Sequence, residues 1–142
     1  MRSGTVLIVE DNEDIREALH ELLEDEAYAV LEAGDGLVGL ALLRASPEAL
    51  IVLVDYAMPH MNGCAMLTEV VTDPWLLARH VYILVTANDD RLPDNFRRLL
   101  MAHHMPIIGK PFELQQLLDT VALASLALPD DGSGAAKQDV SG

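Results

Sequence analysis

The chain has 142 residues, enough for one ordinary domain, and 51% of them are hydrophobic while 4% are aromatic. Its 23 acidic residues outweigh nine Lys and Arg for a net charge of −14, which argues against nucleic acid and membrane as partners, since both are met by basic residues. Cys64 is the single cysteine, no apolar run approaches the ~18–20 residues of a bilayer span, and the N-terminus lacks a signal-peptide core; a soluble, cytoplasmic protein in a reducing compartment is expected.

Thr5–Val9 (TVLIV) is a continuous aliphatic and β-branched run, the pattern of a strand buried on both faces. Glu10-Asp11-Asn12 closes it, with Asp11 or Asn12 placed to cap a helix. Ile15, Ala18, Leu19, Leu22 and Leu23 then form one apolar helix face. A short strand is expected at Ala29–Glu32, and AGDG opens a helix over Leu37–Ala45 that Ser46-Pro47 stops. Leu50–Val54 is the third strand. A third helix runs from Asn62 to about Thr72, with Leu67, Val70 and Val71 inward, and Asp73-Pro74 ends it. Val81–Val85 is the fourth strand and 88–93 a polar loop. A fourth helix spans Asp94–Ala102, a fifth strand Pro106–Ile108 and a fifth helix Glu113–Leu126. From Pro129 the chain turns rich in Gly, Ser and Asp, so residues 1–128 read as the domain and 129–142 as a disordered tail.

Short apolar strands alternating with amphipathic helices imply βαβ units and a parallel sheet covered on both faces. The natural small solution is a doubly wound sheet of order 2-1-3-4-5, whose function sits at the carboxyl ends of the strands. Strand 1 ends in Glu10-Asp11, strand 3 in Asp55, strand 4 in Thr86, and strand 5 leads to Lys110. Two carboxylates ~4 Å apart repel by about 4 kcal/mol at an effective dielectric near 20, so three acids at one edge call for a cation. Hard carboxylate oxygens suit Mg²⁺. With Thr86 as a hydroxyl donor and Lys110 as a fixed charge, the set matches what phosphoryl transfer to Asp55 requires.

Four motifs in order, VLIVEDNEDIR, VLVDYAMPHMNG, ILVTA and GKPF, resemble the receiver domain of two-component response regulators over roughly Thr5–Leu126. The resemblance implies an α/β, flavodoxin-like fold with five parallel strands and five helices. It implies that Asp55 is the phosphoacceptor, supplied by the histidine of a sensor kinase or a phosphotransfer protein. Asp11, Asp55 and the backbone carbonyl of Ala57 would hold Mg²⁺, Glu10 would act through a water, and Thr86 and Lys110 would contact the phosphoryl oxygens. Met58-Pro59 and Gly63 would shape the loop after Asp55. Such a domain is a signalling module rather than an enzyme, although it takes part in its own phosphorylation and dephosphorylation. It acts on a downstream protein, or on a second copy of itself, through helix 4, strand 5 and helix 5, where Leu114, Leu117, Leu118, Val121, Leu123 and Leu126 exceed one buried stripe.

The sequence departs from that family in two places. Ile107 stands where an aromatic residue is usual three positions before the lysine, and Ala102–Met105 (AHHM) replaces the usual Gly-Ala. A haloacid-dehalogenase-type phosphatase would need an acid at Ala57, and a flavodoxin would not place EDNED where a phosphate must sit. The remaining alternative is a receiver that binds protein without being phosphorylated, whose mark would be loss of the Asp, Thr or Lys. His103-His104 are not spaced for helical chelation, His60 reads as a solvated loop residue, Trp75 as a packing residue, and Cys64 as a small core residue.

Overall fold

The computed structural model describes residues 4–87 and 91–129; residues 1–3, the first half of the polar loop (88–90) and the expected tail from residue 130 on lie outside the described residues. In chain order the elements are β1 (Thr5–Val9), α1 (Glu13–Asp25), β2 (Ala29–Ala33), α2 (Gly36–Ala45), β3 (Leu50–Asp55) and α3 (Gly63–Val71). There follow α4 (Pro74–Arg79), β4 (Val81–Ala87), α5 (Asp94–Ala102), β5 (Ile107–Lys110) and α6 (Leu114–Leu126). The strands form one parallel sheet of order β2-β1-β3-β4-β5, the order expected from the sequence.

Period-two alternation divides each central strand between two cores. Leu7, Val9, Val52, Val54 and Leu84 face Leu40, Leu43, Met66, Leu67, Leu76 and Phe96 of α2 to α5. Val6, Ile8, Ile51, Leu53, Ile83 and Val85 face Leu19 and Leu23 of α1 and Leu117 and Val121 of α6. Both faces are covered, which is why β1 and β3 read as unbroken apolar runs. Among the described residues no helix is long and apolar enough to cross a membrane.

Among the described residues there are six helices, not the five expected. Asp73-Pro74, which the sequence marks as a stop, is also the start of α4. The Asp73 carboxylate accepts from the N–H groups of Trp75 and Leu76, and Pro74 occupies the first turn, where its missing N–H costs nothing. Trp75 packs less than expected: it is 52% exposed, with the Arg79 guanidinium 5.2 Å from its ring centre. Behind α4, His80 is buried. Its Nδ1 accepts from Leu50 N–H at 2.9 Å, so Nε2 carries the proton and donates to Leu43 O at 3.2 Å. Burial holds the His80 pKa below its ordinary value, which keeps the ring neutral.

Candidate functional site

The parallel registers bring the strand ends level. Val9 pairs with Val54, so Glu10 lies beside Asp55; Asp55 pairs with Val85, and Thr86 with Gly109. Glu10, Asp55 and Thr86 are 4%, 7% and 7% exposed. Asp11 is exposed at the rim.

Lys110 ties the acids together. Its Nζ donates to Asp55 Oδ1 at 3.1 Å and to Glu10 Oε1 at 3.4 Å. The other Glu10 oxygen accepts from Asn12 N–H at 3.0 Å, while the Asn12 side chain caps α1 through Ile15 N–H. Burial raises the Glu10 pKa and the Asp55 charge adds to it; the Asn12 N–H and Lys110 only partly offset this. Burial would lower the Lys110 pKa, but the hydrogen bonds and charges of Asp55 and Glu10 outweigh it, and the net shift is upward. The ammonium therefore stays charged at neutral pH.

Glu10, Asp11 and Asp55 can each offer one carboxylate oxygen, all within 4.8 Å of one another. A donor set made only of carboxylate oxygens suits a hard divalent cation. The raised Glu10 pKa fits as well, because a bound cation would favour the ionised form that burial disfavours.

The loop after Asp55 is held on three sides. Tyr56 N–H donates to Val85 O at 2.8 Å, and Gly63 N–H donates to Tyr56 O at 2.8 Å. A Cβ on Gly63 would lie 2.7 Å from Asp55 O and 3.0 Å from Tyr56 Cα, so only glycine lets α3 start this close to β3. Gly36 N–H at the start of α2 donates to Met61 O at 3.2 Å. His60, expected as a solvated residue, is exposed but pairs with Asp35 through Nδ1 at 3.0 Å. Its φ of 64° is left-handed. Ala57 lies on the exposed part of this loop, and Cys64 is half-buried against the first core.

Glu10, Asp11, Asp55 and Lys110 are thus brought within reach of one another, and Thr86 sits on the intervening strand β4. Ile107 is half-buried against the first core, three residues before Lys110. Arg16 was not singled out from the sequence, yet its Nη1 donates to the Glu10 carbonyl at 2.8 Å. It is the only Arg or Lys in α1, one turn past an acidic strand end, but nothing local in the sequence names its partners.

The family model described as "Response regulator receiver domain" matches residues 6–122. An uncharacterized transcriptional regulatory protein, YkoG of Bacillus subtilis, is 34% identical over 125 residues, covering 87% of this chain and 52% of the relative. A probable chemotaxis protein CheY of Rhizobium etli is 30% identical over 113 residues, covering 79% of this chain and 84% of the relative. The chain therefore spans about half the length of the first relative and most of the second. Among solved structures, the signal receiver domain of a histidine kinase from Syntrophus aciditrophicus superposes with a TM-score of 0.75 at 24% identity, covering 89% of this chain and 93% of that one. That last likeness is one of fold. The sheet order, the acid cluster and the family match over most of the chain agree: this chain belongs to the response regulator receiver domain family.

Proposed function

We propose that Asp55 accepts a phosphoryl group from the phosphohistidine of a sensor kinase or a phosphotransfer protein, in a reaction that needs Mg²⁺. The observation that carries this reading is the Lys110 ammonium, which bridges Asp55 and Glu10 beside three convergent carboxylates. Glu10, Asp11, Asp55 and the Ala57 carbonyl would hold the cation, Glu10 through a water. When bound, it would neutralise the acids and the charge that develops on the transferred group.

An Asp55 oxygen attacks phosphorus as the phosphorus–nitrogen bond breaks. The electron pair of that bond returns to the donor imidazole, and Asp55 becomes an acyl phosphate. Lys110 is already within hydrogen-bond range of Asp55 and offers a positive charge to the incoming oxygens. Thr86, buried on β4 between the strands of Asp55 and Lys110, would supply a hydroxyl donor. The phosphorylated domain then signals by protein contact. Met101 of α5 and Leu114, Leu123 and Leu126 of α6 are large apolar side chains left exposed, and they fit a surface for a downstream protein or a second copy.

Phosphoramidate, a small phosphorus–nitrogen donor, tests the reading. With Mg²⁺ it should form a hydroxylamine-sensitive acyl phosphate, and chelation should abolish it. Labelling that survives chelation, or that appears on a histidine, would contradict it.

A further inference from the structure

Both main-chain polar groups of Glu10 are tied down, the N–H to β2 and the carbonyl to Arg16 of α1. Its N–H donates to Ala33 O at 3.0 Å, and its carbonyl accepts from Arg16 Nη1 at 2.8 Å. The same guanidinium donates through Nε to Glu32 Oε1 at 2.7 Å. Arg16 is only 18% exposed, so its planar fork is held between a main-chain oxygen of the acid site and a carboxylate of the edge strand.

The second Glu32 oxygen, Oε2, meets Nδ1 of His20, and His20 Nε2 lies 3.0 Å from Glu24 Oε2. A neutral imidazole has one N–H and can donate to only one of two carboxylates; both contacts together require the imidazolium. Burial would lower the His20 pKa, but the hydrogen bonds and charges of Glu24 and Glu32 outweigh it and leave it above its ordinary value. Glu17 and Glu21 line the same hollow and add to the negative field around the ring.

We propose that Arg16 is a positioning residue for the cation site: it transmits the orientation of the Glu32 carboxylate to the Glu10 peptide, and His20 sets that orientation through its charge. The proposal rests on the reading that Glu10, Asp11 and Asp55 hold Mg²⁺. None of the three residues Arg16, Glu32 and His20 offers a ligand to the cation. They fix where the β1–α1 turn presents its acids, and partners of this kind commonly alter metal affinity by about 10–100-fold when removed.

Calorimetric titration of the full chain with Mg²⁺ tests this. Arg16→Ala should weaken binding about tenfold or more, and Arg16→Lys, which keeps one charged donor, should weaken it less. Glu32→Gln should also weaken binding while leaving every ligand in place, which covers the case that Arg16→Ala folds poorly. Between about pH 6 and 8, the ratio of wild-type to His20→Gln affinity should exceed one at the acid end and decline toward one as the imidazolium deprotonates. In the Arg16→Lys background that ratio should respond less to pH. A folded Arg16→Ala or Glu32→Gln that binds Mg²⁺ as tightly as the wild type would overturn the proposal, as would a ratio that is flat in both backgrounds. A wild type that binds no Mg²⁺ would instead overturn the cation-site reading, and the proposal with it.

Discussion

Lys110 Nζ lies 3.1 Å from Asp55 Oδ1 although their strands are not neighbours: β4 runs between β3 and β5. The lysine reaches over the strand that carries Thr86 to meet the acid. Asp55 and Glu10 are both buried, so removing the ammonium leaves two carboxylates without their shared counter-charge. Lys110→Met should cost about 3 kcal/mol of stability without Mg²⁺. Millimolar Mg²⁺ should recover part of that loss, and thermal melts with and without the cation would check it. An unchanged melting temperature would mean that the contact contributes nothing to the fold.

Glu10 predicts the opposite sign. Its pKa is raised from an ordinary 4.5, chiefly by burial, so the folded state binds its proton more tightly than the unfolded chain does. Its contribution to stability is present below the unfolded pKa and is lost as pH rises through the folded one. Glu10→Gln should therefore melt higher than the wild type at pH 7 without metal, and the gap should close as pH falls toward 4.5. The same substitution should reduce the stabilisation that Mg²⁺ confers.

His80 governs the other end of the sheet. Its pKa is lowered from 6.5, first by burial, and its neutral ring joins Leu50 N–H to the Leu43 carbonyl. The unfolded chain binds the proton first, so this stability is complete above pH 6.5 and falls as pH drops from 6.5 toward the folded-state value. His80→Ala should cost about 2 kcal/mol by leaving buried backbone groups unpaired. It should also remove the part of the pH dependence that lies just below 6.5, which melts across that range would show.

Gly63→Ala places a methyl group 2.7 Å from the carbonyl oxygen of Asp55 itself. Both close atoms are backbone, so β3 or α3 must move. A loss of about 1–3 kcal/mol is expected, together with slower phosphorylation of Asp55. Normal phosphorylation at full stability would show that the start of α3 does not set the place of Asp55.

The strand ends were legible because buried parallel strands announce themselves as apolar runs, and the residue that breaks each run stands at its tip. Glu10, Asp55, Thr86 and Lys110 could therefore be named from local pattern, and the 2-1-3-4-5 order was the simplest way to bring them to one edge. Asp73-Pro74 was ambiguous for a physical reason, since a capping acid before proline both ends one helix and begins another. Arg16 and His20 were hidden because their shared partner, Glu32, is on the neighbouring strand and meets them only once β2 docks beside β1. His80 was hidden because both its partners are main-chain groups, which leave no trace in residue type.

The role of Asp55 is tested most directly by intact-mass measurement of the wild type and Asp55→Asn after exposure to acetyl phosphate and Mg²⁺. The wild type should gain a single phosphoryl group that hydroxylamine removes, and Asp55→Asn should gain none. Equal gain by both proteins, or gain by neither, would contradict the assignment of Asp55 as the phosphoacceptor.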